Sequence, residues 1–102
     1  MKLLIITAVK EYSDQAAALV KKAGIHIFSA TDIVGFKDGS QHNLLDDWFG
    51  AGEARTNSML LFSFAGDDQA KKALELVQEY NQSLADDFPL RAFIVPVDSF
   101  SH

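Results

Sequence analysis

The residues best equipped for chemistry lie between positions 37 and 56. His42 and Asp46 stand four apart and would share a face if 43–49 were helical. With Asp47 and Glu53 nearby they form an imidazole-and-carboxylate set of the kind that holds zinc or another divalent ion. No His-x-x-x-His or Glu-x-x-His spacing reinforces the set, and a solvated acidic loop accounts for the same residues without a ligand. The stretch also carries Leu44, Leu45, Trp48 and Phe49, including the only tryptophan of the chain. Exposed aromatic side chains on a loop anchor well in a partner's pocket; the alternative is that they pack on a neighbouring subunit or against the sheet.

Machinery for covalent or acid–base catalysis is not assembled by the sequence. With no cysteine there is no thiolate nucleophile, thiolate metal site or disulfide framework. Ser13 and Ser29 are explained as a helix cap and a strand residue, and no Gly-x-Ser-x-Gly elbow surrounds any serine. Gly39, Gly50 and Gly52 are not followed by the Gly-Lys-Ser/Thr of a phosphate loop. Asp67-Asp68 reads as a helix start and Asp86-Asp87 as a turn. The expectation is therefore a protein that is not an enzyme.

The elements that position these residues form one small domain over 1–102. Nine Lys and Arg against fourteen Asp and Glu give a net charge of −5, which argues against nucleic acid and anionic membrane surfaces. The apolar run at the start is too short for a signal sequence and is interrupted by Lys10-Glu11. No apolar stretch approaches the ~20 residues of a membrane span, so a cytoplasmic protein with no membrane insertion is expected.

A continuous apolar run predicts a strand over 3–9, and Ser13 is a candidate N-cap for a helix whose face holds Ala16, Leu19, Val20 and Ala23. Gly24 suits the left-handed position after that helix. A long strand is predicted over 25–36, a connection over 37–56 and a third strand over 59–65. A second helix follows Gly66, with Ala70, Ala73, Leu74, Val77, Asn81 and Leu84 on one face and Asn81 as its single polar break. The last strand is predicted over 90–97, with Pro96 marking an edge or an exit. The order βαββαβ is that of a ferredoxin-like α+β fold, a four-stranded antiparallel sheet with two helices on one face.

Two helices cover one face, yet Leu3-Leu4-Ile5-Ile6, Met59-Leu60-Leu61-Phe62 and Phe93-Ile94-Val95 place apolar side chains on both. A second copy is the simplest cover for the other face, so a homo-oligomer is expected. The alternative is that the long loop folds beneath it.

The stretch Gly24-Ile25-His26-Ile27-Phe28-Ser29-Ala30-Thr31-Asp32-Ile33-Val34-Gly35-Phe36 resembles the second strand of the nitrogen-regulatory PII signalling proteins, and the start Met1 to Lys10 resembles their first strand. The resemblance implies a homotrimer, a small-molecule or ion effector in clefts between subunits, and a protruding loop that contacts a regulated membrane transporter or enzyme. Cleft positions carried over are Ser29, Gly35, Phe36 and Lys37, which strand and turn architecture also explains; the contact loop would use Leu44, Leu45, Trp48 and Phe49.

Departures from the family pattern are specific. Lys37-Asp38-Gly39 replaces the family's Gly and Gln, and the loop has no tyrosine to modify. ATP-binding members carry a Gly- and Lys-rich segment before the last strand; here Gln82 to Pro89 has neither residue and includes Asp86 and Asp87. The basic C-terminal segment is likewise replaced by Val97 to His102. ATP is therefore not expected, and a divalent metal at His42, Asp46 and Asp47 stays open. A trimeric metal-binding protein similar to the divalent-cation-tolerance protein CutA, needing His42, Asp46, Asp47 or His26 as ligands, is the second reading. A small ferredoxin-like enzyme is the third.

Overall fold

The computed structural model describes residues 1–36, 55–84 and 88–101. Along the chain run β1 (Lys2–Val9), a 3₁₀ turn (Lys10–Tyr12), α1 (Ser13–Lys22), β2 (Ser29–Phe36), β3 (Arg55–Ala65), α2 (Asp67–Ser83) and β4 (Arg91–Pro96). The strands form one sheet in the order β2-β3-β1-β4, with every neighbouring pair antiparallel. This is the ferredoxin-like α+β arrangement.

Strand alternation divides the sheet into two unlike faces. Leu4, Ile6 and Ala8 of β1 and Met59, Leu61 and Ala65 of β3 are buried in one core with Ala16 and Val20 of α1 and Ala70, Ala73, Leu76 and Val77 of α2. The alanines on the helices let backbone and sheet approach closely, as dense packing requires. Leu76 belongs to this core although the expected face of α2 omitted it, while Leu74 is half-buried.

Element ends depart from expectation for identifiable reasons. The strand predicted over 25–36 joins the ladder only at Ser29. Before it, Ile25 is buried in the core, Phe28 packs against the core, and the Ser63 hydroxyl donates to the Ile27 carbonyl at 2.6 Å. The third strand begins at Arg55, not at 59, because Thr56 and Arg55 continue the pairing opposite Gly35 and Phe36. Two residues of the expected 37–56 connection therefore belong to the sheet. Ser13 is not the N-cap of α1: it is the first helical residue, and its hydroxyl donates to the Lys10 carbonyl at 2.7 Å. The fourth strand is Arg91–Pro96, slightly shorter than 90–97, with Pro96 as its last residue on an edge strand.

Polar side chains fasten the elements together. Gly24 takes φ 90° after α1, where Ile25 N–H reaches the Val20 carbonyl and Gly24 N–H the Lys21 carbonyl, both at 3.0 Å. Gln69 donates to the Gly24 carbonyl at 3.1 Å and accepts from Gly66 N–H at 3.3 Å, linking the end of α1 to the start of α2. Asn81, the polar break in the α2 stripe, holds Leu90 from both sides: its amide donates to the Leu90 carbonyl at 2.8 Å and accepts from Leu90 N–H at 2.9 Å. Leu90 is buried, so those backbone groups would otherwise lack partners. Asn81→Ala should lower stability by about 2 kcal/mol, read as a reduced urea midpoint at unchanged slope.

Candidate functional site

The sheet face away from the helices carries Leu3 and Ile5 of β1, Leu60, Phe62 and Phe64 of β3, and Phe93 and Val95 of β4. Register places them in rows: Val95, Leu3 and Phe64, then Phe93, Ile5 and Phe62. Leu3 and Ile5 in the middle strand are half-buried, whereas Phe62, Phe64, Phe93 and Val95 are exposed, Phe64 at 57%. Ile27, just before β2, is 88% exposed. Exposed apolar side chains gathered on one face make this end of the sheet a candidate interaction surface.

The other end of the same face has a different character. Thr7, opposite Leu60 and Arg91, is 2% exposed, and Ser58, opposite Val9 and Ile33, is also buried, as is Gly35 on β2. The Thr7 Oγ1 atom has no hydrogen-bond partner among the described residues. An orphaned buried hydroxyl costs about 1–3 kcal/mol against a paired one.

A polar groove lies at the β2 edge on the helix side. It has a volume of about 420 Å³ and is lined by Ser13, Ala30, Thr31, Asp32 and Met59. Lys10 Nζ stands 3.1 Å from the Asp32 carboxylate beside it. Sequence reasoning passes over Asp32 and Lys10; the signal that could have found them is a charge at a core-side position of an edge strand.

Of the cleft residues expected from sequence, Ser29 and Gly35 lie on the same face as the phenylalanines, and Phe36 on the opposite one. Ser29 is exposed, Gly35 buried and Phe36 exposed. Six residues of strand separate Ser29 from Gly35, roughly 20 Å, so one chain does not bring them to a common point. Lys37, the metal candidates His42, Asp46 and Asp47, and the contact residues Leu44, Leu45, Trp48 and Phe49 lie outside the described residues. His26 is exposed, and among the described residues no three His, Asp or Glu side chains cluster to hold a metal. No helix among them is long and apolar enough to cross a membrane.

The architecture can be placed among solved structures. A candidate PII-like signalling protein from Thermus thermophilus superposes with a TM-score of 0.61 at 18% identity, covering 91% of this chain and 82% of the other. CPII from Thiomonas intermedia K12, solved with ADP and bicarbonate, gives 0.56 at 14% identity, covering 92% and 86%. The chain has a PII-like fold. No protein-family model and no curated protein matches the sequence. The PII-like fold thus carries over almost the whole chain while little of the neighbours' sequence does, so the chemistry must be read from this chain's own residues.

The orphaned hydroxyl gives a direct check on the buried end of the PII-like sheet. Thr7→Val keeps the side-chain shape and removes the unpaired group, and should raise stability by up to about 1 kcal/mol. A loss of stability in the same denaturation measurement would show that the hydroxyl is engaged.

Proposed function

We propose that this chain is a non-enzymatic, single-domain regulatory protein of the cytoplasm that works as a homotrimer. Three subunits pack their aromatic sheet faces inward. A small molecule or ion is sensed in the clefts between them, with Ser29, Gly35, Phe36 and Lys37 as lining residues. The 37–56 segment, through Leu44, Leu45, Trp48 and Phe49, contacts a membrane transporter or an enzyme.

The observation that carries this reading is the bare end of the sheet, where Phe62, Phe64, Phe93 and Val95 are exposed on a face that no helix among the described residues covers. The likeness in fold to PII-like proteins supports it. Self-association removes this surface from water at roughly 25 cal/mol per Å². Ser29 and Gly35 share that face, which supports a ligand cleft completed by a second copy rather than a pocket within one chain. CPII holds ADP and bicarbonate. In this chain Asp86 and Asp87 and the lack of Gly and Lys over 82–89 oppose a polyphosphate, so the effector is not a nucleotide held in the family manner.

Light scattering coupled to size-exclusion chromatography tests the assembly. The wild-type chain should run as a trimer, and Phe64→Glu should shift it to monomer while keeping its far-ultraviolet circular dichroism. A wild-type monomer at micromolar concentration would overturn the proposal.

A further inference from the structure

Among the described residues the helix layer stops short of β2. α1 packs over β1, β3 and α2, leaving Ala30, Asp32 and Val34 exposed on the helix side of the edge strand. The groove of about 420 Å³ results, within the size range of small-molecule sites. Its floor includes Met59, which is buried, and the Ala30 methyl. Among the described residues the ion pair beside it is Lys10–Asp32, with 3.1 Å between the charged groups and side chains 58% and 71% exposed. Ser13 completes the wall, and its proton is committed to the Lys10 carbonyl, leaving its lone pairs as acceptors.

We propose that this groove binds free α-amino acids with apolar side chains, the ligand carboxylate on Lys10, its ammonium on Asp32 and the Ser13 oxygen, and its side chain over Ala30 and Met59. The charge pattern selects the class. A simple anion would meet Asp32, a simple cation would meet Lys10, and a neutral ligand would leave the pair closed. An exposed ion pair contributes only about 0.2–1 kcal/mol, so a zwitterion exchanges one weak contact for two charge-assisted ones. An inward-facing charge on an edge strand also deters unwanted strand pairing, but that role requires neither the lysine nor the cavity.

The groove is built within one chain, so amino-acid binding goes beyond the assembly proposed above and does not depend on it. Isothermal titration of the full chain with L-leucine should give saturable binding. L-leucinamide, which lacks the carboxylate, and 4-methylpentanoate, which lacks the ammonium, should each bind about tenfold more weakly or worse. Lys10→Met and Asp32→Asn should each weaken L-leucine by about tenfold or more, with the urea midpoint nearly unchanged because the pair is exposed. Absence of saturable heat, equal binding of the three compounds, or wild-type affinity in both variants would overturn the proposal. Leucine binding by a protein that scatters as a monomer would refute the trimer and leave the groove standing; a trimer that ignores leucine would do the reverse.

Discussion

Everything in this molecule follows from a mismatch between apolar surface and cover. A strand presents alternate residues to opposite faces, so a run such as Leu3-Leu4-Ile5-Ile6 cannot bury all four side chains against one layer. Leu4 and Ile6 are fully buried beneath the helices; Leu3 and Ile5 are half-buried on the other side. The βαββαβ order supplies two helices and places both on one face. What remains is a second face that is apolar at one end, in the rows Val95, Leu3, Phe64 and Phe93, Ile5, Phe62, and polar at the other, around Thr7 and Ser58.

That constraint explains which contacts are polar and where. On the covered side, side-chain hydrogen bonds are spent on joining elements, because helix and strand ends leave backbone groups that burial would orphan. Gln69 ties α2 to the turn after α1, Asn81 ties α2 to β4, and Ser63 fixes the approach to β2. Each bridges segments distant in sequence or a turn the helix pattern alone cannot hold. Apolar packing sets the layers, and these few bonds set their registration.

The same physics decides what could be read from the chain. A continuous apolar run locates β1 and helical periodicity locates both helices because apolar patterning is a local property, and Gly24 is legible because a helix end requires its positive φ. Asn81 reads as a flaw in an apolar stripe, since its partner Leu90 is set by the tertiary fold. The start of β2 is misplaced for a similar reason: Ile25 to Phe28 has strand composition but turns its apolar residues and the Ile27 carbonyl to other uses. Ser13 has the composition of a cap, but a 3₁₀ turn precedes it and puts the Lys10 carbonyl within reach of its hydroxyl. The Lys10–Asp32 pair is hidden from the sequence because it joins the 3₁₀ turn after β1 to the middle of β2. Ser29 and Gly35 become cleft candidates only through the resemblance, and the metal and aromatic candidates of 37–54 lie outside the described residues.

Association through the face is also favoured by how the sheet's edges are made. β2 is an edge strand with a full charge at Asp32 on its core side, and a second strand laid against it would have to accommodate that carboxylate and its lysine. β4, the other edge, ends at Pro96, which offers no backbone donor beyond the ladder. Among the described residues the face has no such guard at its bare end, where phenylalanines of β3 and β4 flank β1. It does have one at the other end, where Thr7, Ser58 and Gly35 are already buried within the chain. Surface for a partner is thus concentrated at one end of one face. In the proposed assembly a copy seated there would cover the aromatic rows and leave the helix-side groove at the β2 edge open to solvent, so the proposed amino-acid site and the proposed association surface lie on opposite sides of the same sheet.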